Sequence, residues 1–249
     1  MIAGVAIDDI TMTGALRFIE ERIRQKDVSY MVTPNVDHIV KLQKDFEFRH
    51  VYEQATAVLP DGMPVLWAGR FLKTPIREKV SGSDLVYKIC ETAALKGYRL
   101  FFLGGRPGAA RQAKERLSKR FPSLQIVGTH CPPMGFELDA GENKKIEVMV
   151  RGVRPDILLV GLGAPKQEKW IYKYHKRLNV PVSIGVGASF EFMAGMVKRA
   201  PRFMQRAGLE WFWRLMMEPG RLWKRYLVND MRFFWLILSQ RFMGAVEIR

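Results

Sequence analysis

Polar side chains that could perform acid–base chemistry stand at the ends of two predicted strands. Asp61 closes the short apolar segment TAVLPDG, and Thr33 and Asn35 follow the apolar run in VSYMVTPN. Pro34 keeps Thr33 extended, so both polar side chains are expected to project toward one common edge. A carboxylate at that edge could take a proton from a hydroxyl group as a general base. The structural alternative stays open, because Pro-Asp-Gly is favoured turn chemistry and Asp61 could cap the following helix.

Glycine-rich loops follow three further apolar runs, which are RLFFLGGRPG at 99–108, DILLVGLGAPKQE at 156–168 and PVSIGVGASFEF at 181–192. Each run predicts a strand buried on both faces, and its glycines let backbone N–H groups approach a ligand closely. Such loops lie at the carboxyl ends of parallel strands, where helix N-termini favour anions. A phosphate-bearing ligand is therefore predicted. In the alternative, the glycines only end strands and cap helices.

Several common cofactor and metal sites are disfavoured because the sequence lacks their characteristic motifs. The loop at 103–108 lacks G-x-G-x-x-G spacing and no GxxxxGK[ST] is present, which argues against NAD and ATP chemistry. The four histidines are scattered without HExxH or paired CxxC spacing, so neither a metal nor another cofactor is expected. The start MIAGVAIDD lacks a basic n-region, and Cys90 and Cys131 give no disulfide framework. A cytoplasmic location is expected.

The elements that must position these residues alternate between helix and strand. This alternation predicts an α/β fold with a mostly parallel, Rossmann-like sheet flanked by helices over residues 1–197. Ser83 and Asp84 are expected to cap one helix, and Pro107 to open another. The predicted strands lie near 4–7, 28–35, 56–62, 99–103, 124–127, 156–160 and 181–185. The predicted helices cover about 12–26, 36–44, 46–55, 63–72, 84–96, 107–120, 142–152 and 166–178.

Residues 198–249 are predicted to form a helical appendage with a distinct composition. The whole chain carries a formal charge of +15, and this segment holds eleven basic residues against four acidic ones. It also contains four of the six tryptophans. Basic residues interleaved with Trp, Phe and Leu predict peripheral attachment to an anionic membrane surface, with nucleic-acid binding as the alternative.

The end of the appendage is predicted to be an amphipathic helix that lies on a surface. The longest uncharged run there, 233–240, is far shorter than the ~20 residues that span a bilayer. If the chain beyond Pro219-Gly220 is one helix, its two faces carry different residues. The basic face holds Arg221, Arg225 and Arg232, and the apolar face holds Trp223, Leu227, Phe234 and Leu238.

A set of ordered motifs carries a family resemblance over essentially the whole chain. The motifs are TPN at 33–35, PDG at 60–62, FLGG at 102–105, VGLGAPKQEKW at 160–170, GVG at 185–187 and RAP…QR…GLEW between 199 and 211. Together they resemble the WecG/TagA/CpsF family of bacterial glycosyltransferases. The APKQEKW and RAPRFMQRAGLEW segments are the most specific of these motifs.

This resemblance implies an inverting, metal-independent hexosyltransferase. Such enzymes move a sugar from a UDP-sugar to a polyprenyl-diphosphate-linked sugar at the cytoplasmic membrane face, in the synthesis of teichoic acid, common antigen or exopolysaccharide. The sequence agrees with a metal-independent route, since it contains no Asp-x-Asp pair and comes nearest to one at Glu137-Leu138-Asp139. N-acetylmannosamine, its uronic acid and glucose stay open as the transferred sugar. A homo-oligomer stays open as well.

The resemblance also assigns roles to residues. It makes Asp61 the base on the acceptor hydroxyl, with Thr33 and Asn35 beside it. Gln167 corresponds to the active-site glutamine of the family, and Lys79 stands where members often carry arginine. The implied UDP pocket is lined by Gly104, Gly105, Gly161 and Gly187. The implied cations that close over the diphosphate are Arg214, Arg221 and Lys224.

One departure and two alternatives accompany this interpretation. Asp37-His38 stands where many members place a glutamate two residues after the asparagine, so the donor or acceptor preference is expected to differ. The main alternative is a basic nucleic-acid-binding α/β protein without catalytic activity, whose aromatic tail stacks on bases. A nucleotide-dependent oxidoreductase is disfavoured by the missing fingerprint. The glycosyltransferase interpretation predicts no nucleic-acid partner, and it leaves His38 and His175 as packing or surface residues.

Overall fold

A sheet of six parallel strands forms the centre of the computed structural model, which describes residues 1–244 except the side chains of Arg206 and Arg221. The strand order is β2-β1-β6-β5-β3-β4, and every neighbouring pair is parallel. The strands are β1 (Ser29–Val32), β2 (Ala57–Val58), β3 (Arg99–Gly104), β4 (Gln125–His130), β5 (Ile157–Gly161) and β6 (Val182–Gly185). The predicted α/β fold with a parallel sheet is confirmed.

Helices cover both faces of this sheet and bury two separate hydrophobic cores. On one face lie α1 (Met12–Gln25), α5 (Gly82–Lys96), α6 (Ala109–Arg120) and α9 (Ser189–Met193). On the other lie α2 (Val36–Leu42), α3 (Phe46–Glu53), α4 (Met63–Phe71), α7 (Ala140–Val153) and α8 (Lys166–Leu178). A 3₁₀ turn at Phe136–Leu138 precedes α7.

The central strands are apolar throughout because both of their faces are covered. Along β3, Phe101 and Leu103 point into one core, while Leu100 and Phe102 point into the other. Successive side chains of a strand face opposite sides of the sheet, so a strand between two helical layers needs apolar residues at every position. This requirement makes the strands recognisable in the sequence.

Three local predictions at the starts of elements were wrong. Residues 4–7 form no strand, because Ala3 and Gly4 adopt positive φ and turn the chain back, so that Ile2 bridges Val5. Helix α5 is capped by Ser81, whose hydroxyl accepts a hydrogen bond from the Asp84 backbone, rather than by Ser83 or Asp84. Helix α6 begins at Ala109 instead of Pro107, after Gly108 in the left-handed conformation. A cap depends on backbone angles that residue type alone does not fix.

The appendage folds back onto the domain as a series of short helices. These are α10 (Arg202–Arg206), α11 (Glu210–Met217), α12 (Pro219–Lys224), a π-helical turn at Arg225–Asn229, and α13 (Met231–Met243). Leu222, Phe233 and Ile237 are buried, and the last two join the core beneath α2 and α8. The predicted single helix beyond Pro219 is therefore interrupted by the π turn. The predicted apolar face, Trp223, Leu227, Phe234 and Leu238, points away from the core and is exposed.

Candidate active site

Strands β1 and β2 bring the predicted polar residues to one edge of the sheet. Leu59 donates a backbone hydrogen bond to Val32, and Asp61 donates one to Pro34 at 3.1 Å. The Thr33 hydroxyl is buried beside the first turn of α5, 3.6 Å from where a Cβ on Gly82 would stand. The carboxyl ends of β1 and β2 and the amino end of α5 thus surround one point, as expected for an open parallel sheet.

Asp61 has the electrostatic properties of a base that works near neutral pH. Burial raises the pKa of its carboxyl to about 7. The Lys79 ammonium and a hydrogen bond from Gly82 oppose this rise in pKa, while the Glu210 and Asp84 carboxylates add to it. A general base is most effective when its pKa lies close to the operating pH. Removal of the Lys79 charge would therefore raise the pKa of the carboxyl further.

An ion network joins this carboxyl to the appendage. Lys79 Nζ lies 3.8 Å from Asp84 Oδ2, and Arg199 Nη1 donates to Asp84 Oδ1 at 2.6 Å. Arg199 Nε also donates to Glu210 Oε1 at 3.2 Å. Arg199 and Glu210 belong to the RAPRFMQRAGLEW segment, which carried the family resemblance, but the sequence did not show that they reach Asp84. The appendage therefore takes part in the electrostatics around Asp61.

Asn35 has a structural hydrogen bond that the sequence did not show. It is the N-cap of α2, and its Oδ1 accepts from the His38 backbone at 3.2 Å. His38 itself is buried against Phe48 and Tyr52, and its Nδ1 lies 2.6 Å from the Tyr52 hydroxyl. Burial lowers the pKa of His38 to about 3, so it is neutral at physiological pH. His38 is a packing residue in this structure.

The Gln167 side chain forms hydrogen bonds to two of the glycine loops. Its Oε1 accepts from the Gly163 backbone at 3.2 Å and from the Gly187 backbone at 3.0 Å. Its Nε2 donates to Glu168 Oε1 at 2.7 Å, and both side chains are buried. Burial raises the pKa of Glu168 to about 7. Gln167 thus holds the ends of β5 and β6 at a fixed separation.

Three of the four predicted pocket glycines are required by contacts within the protein. A Cβ on Gly104 would stand 2.6 Å from the Gly161 carbonyl oxygen, and one on Gly161 would stand 2.8 Å from the Gly187 oxygen. Gly105 has a positive φ of +82°, and a Cβ there would stand 3.3 Å from the Ala109 Cβ and 3.3 Å from the Phe190 ring. Gly187 differs, because a Cβ there would meet no atom within 4 Å. Of these positions, Gly187 has open space beside its backbone.

The appendage also reaches the loop after β3. Arg106 Nη2 lies 2.6 Å from Glu218 Oε1, and the Arg106 backbone donates to Glu191 Oε1 at 2.9 Å. The Arg214 guanidinium lies 5.8 Å from the ring centroid of Phe192 in α9. Lys224 is exposed on α12. The side chain of Arg221, the third predicted tail cation, lies outside the described residues.

A second charge cluster connects the π turn to the APKQE loop. Lys41 Nζ lies 2.8 Å from Asp37 Oδ2 and donates to the Ala164 carbonyl at 3.2 Å. Arg225 approaches the same Asp37 oxygen at 3.5 Å and Asp230 at 3.8 Å. Burial raises the pKa of Asp230 to about 6. The sequence marked Asp37 only as a departure from the family pattern and gave no sign of these partners.

A groove of about 660 Å³ opens beside the ion network. Its wall includes Lys79, Asp84 and Arg199, together with Arg116 and Arg120 of α6. No carboxylate in the described part of the chain pairs with Arg116 or Arg120, whereas Lys79 and Arg199 share the carboxylate of Asp84. The groove therefore carries positive charge that an anionic ligand could neutralise.

Within residues 1–244, no helix combines the length and apolar character needed to cross a membrane. Over the same residues, no three His, Cys, Asp or Glu side chains are grouped so that they could hold a metal ion.

Comparison with known proteins gives matches over most of the chain. The model of the glycosyl transferase WecG/TagA/CpsF family matches residues 1–246. An N-acetylglucosaminyldiphosphoundecaprenol N-acetyl-beta-D-mannosaminyltransferase from Bacillus subtilis (strain 168) is 31% identical over 217 residues, which are 87% of this chain and 82% of the relative. A transferase of the same description from Staphylococcus aureus (strain MW2) is 28% identical over 226 residues, 90% of this chain and 85% of the relative. The resemblance inferred from the motifs is confirmed: the chain belongs to the WecG/TagA/CpsF family of glycosyl transferases.

Proposed function

We propose that this protein transfers N-acetylmannosamine from a UDP-sugar to a polyprenyl-diphosphate-linked N-acetylglucosamine, with inversion at the anomeric carbon. The observation that carries the proposal is Asp61, a carboxyl with a pKa of about 7 at the carboxyl edge of a parallel sheet. The names of the relatives support the choice of sugar and of a lipid-linked acceptor. The basic groove beside the ion network supports substrates that carry diphosphate groups.

In the proposed reaction, Asp61 takes the proton of the acceptor hydroxyl as its oxygen attacks the anomeric carbon of the donor. The bond between that carbon and the diphosphate oxygen breaks, and UDP leaves with the electron pair. One displacement at one carbon inverts its configuration. Asp61 then releases its proton to solvent. A base positioned for such a transfer contributes on the order of 10²–10⁴-fold in rate.

The leaving UDP gains negative charge that the protein must stabilise. Because the sequence lacks an Asp-x-Asp pair, we assign this role to cationic side chains rather than to a metal ion. Lys79 lies close enough to Asp61 to lower its pKa, so its charge acts within the same site. Arg214 lies against Phe192 at the end of α9. Arg221 and Lys224 are proposed to complete this positive charge when substrate is bound.

The remaining site residues are proposed to shape the pocket. Thr33 and Asn35 flank the acceptor hydroxyl or the donor sugar. Gln167 acts by holding the loops after β5 and β6, since its amide is already bonded to the backbone of both. The open space at Gly187 gives the diphosphate room beside the loop after β6, while the Gly187 N–H stays bonded to Gln167. Gly104, Gly105 and Gly161 are packed closely against neighbouring loops.

The appendage, taken as residues 198–249, is proposed to attach the enzyme to the inner face of the cell membrane, where a lipid-linked acceptor resides. Its helices expose many large apolar side chains next to basic ones. Burying such side chains at the headgroup boundary favours surface attachment, and anionic lipids add attraction for the basic residues. The exposed apolar residues include Trp211, Phe212, Met216, Met217, Trp223, Leu227, Met231, Phe234, Trp235, Leu238 and Phe242.

The reaction can be tested with the full-length chain, UDP-N-acetylmannosamine and a synthetic N-acetylglucosamine-diphospholipid in buffer with EDTA. The proposal expects a disaccharide lipid and stoichiometric UDP, with the anomeric configuration of the donor inverted in the product. Retention of configuration would contradict the single displacement. Activity that appears only after Mg²⁺ or Mn²⁺ is added would contradict the assignment of cationic side chains.

A further inference from the structure

Helix α4 of the α/β domain has an apolar outer face that the rest of the described chain covers only in part. Trp67 is 44% exposed and Phe71 is 45% exposed, while Val65, Leu66, Ala68 and Gly69 are buried. The helix therefore packs through its inner side and presents two large aromatic side chains outward. Each of these two residues leaves nearly half of its surface open to solvent.

The appendage borders this face at both ends. At the Trp67 end, Gly208 in the α10–α11 loop has a positive φ, and a Cβ there would stand 2.9 Å from atoms of Met63 and Trp67. At the other end, the Phe71 and Phe242 rings meet edge-on, with centroids 6.5 Å apart. The outer face of α4 is thus continuous with the exposed apolar side chains of α13.

Positive charge surrounds the same helix. Arg70 is exposed between the two aromatic residues, and Lys73 is exposed directly after the helix ends. In the described part of the chain, neither forms an ion pair with a carboxylate. Exposed aromatic rings next to unpaired basic side chains match the chemistry of an anionic bilayer surface, where rings enter the headgroup region and cations meet phosphate.

We infer that α4 is part of the membrane-contact surface, so that the domain itself, and not only the appendage, touches the bilayer. This inference rests on the membrane attachment proposed above and adds a defined position for the active site. Only Gly62 separates Asp61 from the start of α4, and the helix is about 13 Å long at 1.5 Å per residue. Contact through Trp67 and Phe71 places the candidate base within one short helix of the lipid headgroups. A lipid-linked sugar can then reach Asp61 without leaving the membrane.

The test is flotation of the full-length protein with vesicles of phosphatidylcholine and phosphatidylglycerol. Three variants are compared with wild type. They are a double variant that carries Trp67→Ser and Phe71→Ser, the appendage variant Trp235→Ser, and the control Leu95→Ser. Leu95 is exposed in the last turn of α5, which packs on the other face of the sheet from α4. We expect the double variant to lower the vesicle partition coefficient by on the order of tenfold or more, and the control to leave it unchanged.

Each outcome separates this inference from the proposed membrane attachment. Loss of partitioning in Trp235→Ser but not in the double variant would overturn the role of α4 while preserving the appendage as the anchor. Unchanged partitioning in both would overturn membrane attachment itself. If the double variant does not fold, Arg70→Glu decides, because Arg70 is exposed and unpaired. The Arg70→Glu variant should bind the anionic vesicles more weakly than wild type and bind pure phosphatidylcholine vesicles equally well. If it binds the anionic vesicles as well as wild type does, the inference is overturned.

Discussion

Arg225 Nη2 lies 3.5 Å from Asp37 Oδ2, and this contact fastens the π turn of the appendage to the helix that Asn35 caps. The same carboxylate holds Lys41, which in turn donates to the Ala164 carbonyl in the loop before α8. Asp37 therefore lies at the meeting point of the appendage and two loops of the candidate site.

Replacing Arg225 with methionine should loosen this attachment. The substitution leaves the buried Asp230 without its cationic neighbour and Asp37 with Lys41 alone. We expect the free energy of unfolding to fall by about 1–3 kcal/mol, measured by urea denaturation. Limited proteolysis should also cut the appendage faster. Arg232→Met is the matched control, because Arg232 is exposed on α13 and has no ion pair within residues 1–244; equal effects of both variants would contradict the role of the Asp37 cluster.

Lys79 should set the pH at which the enzyme becomes active. Because its ammonium lowers the pKa of Asp61, Lys79→Met should move the rising limb of kcat/KM against pH to higher pH. Wild type is expected to show this limb at an apparent pKa of about 7. Lys96→Met on α5 is the control, since Lys96 is exposed, pairs with Glu20 and lies outside the groove. A limb that stays in place in Lys79→Met would show that another group titrates.

Two alanine substitutions can distinguish a glycine that close packing requires from one that it does not. A Cβ on Gly161 would stand 2.8 Å from the Gly187 oxygen and 2.9 Å from the Phe190 ring, so Gly161→Ala must displace a loop. We expect a loss of about 1–3 kcal/mol in stability. Gly152→Ala in α7 meets no atom within 4 Å and should be neutral or stabilising by up to about 1 kcal/mol. Thermal melts of both variants check this, and an unaffected Gly161→Ala would disprove the packing explanation.

The raised pKa of Asp61 should make the folded protein less stable at pH 7 and above than at low pH. The pKa of Asp61 is about 7 in the folded chain and about 3.9 when unfolded, so between these values the folded state holds a proton that the unfolded state has released. Stability contributed by this proton is complete below about pH 4 and is lost as the pH rises through 7. Asp61→Asn should therefore be more stable than wild type by on the order of 1–4 kcal/mol at pH 8, with a much smaller gain at pH 4. Denaturant titrations at the two pH values measure the difference, and a pH-independent gain would contradict the raised pKa.

The sequence predicted those features that depend on local pattern. Apolar runs identified the central strands because both faces of the sheet are buried, and consecutive parallel strands necessarily bring Thr33 and Asp61 to one edge. The sequence did not predict the ion-pair partners around the site, because those partners come from distant parts of the chain. Nothing local to Arg199 indicates a bond to Asp84, and nothing near Arg225 indicates Asp37.

Backbone geometry accounts for the other differences. The glycines at 104, 105 and 161 were predicted to line a ligand pocket, and the structure adds close approaches to neighbouring loops that the sequence did not show. The π turn at Arg225–Asn229 changes which residues share a face, so a helical projection through it misplaces the residues that follow. The roles of the site residues and the domain boundary at 197 stay predictions.

The most direct test of the account is the turnover of Asp61→Asn at saturating UDP-sugar, together with calorimetric binding of UDP. Asparagine keeps the size of the side chain and one acceptor oxygen, but it cannot take up the proton. We expect turnover to fall on the order of 10²–10⁴-fold while UDP affinity stays within a few-fold of wild type, and Asp27→Asn, an exposed carboxylate paired with Arg22, to leave both unchanged. Turnover of a folded Asp61→Asn protein within a few-fold of wild type would show that Asp61 is only a turn residue, and would contradict the proposed mechanism.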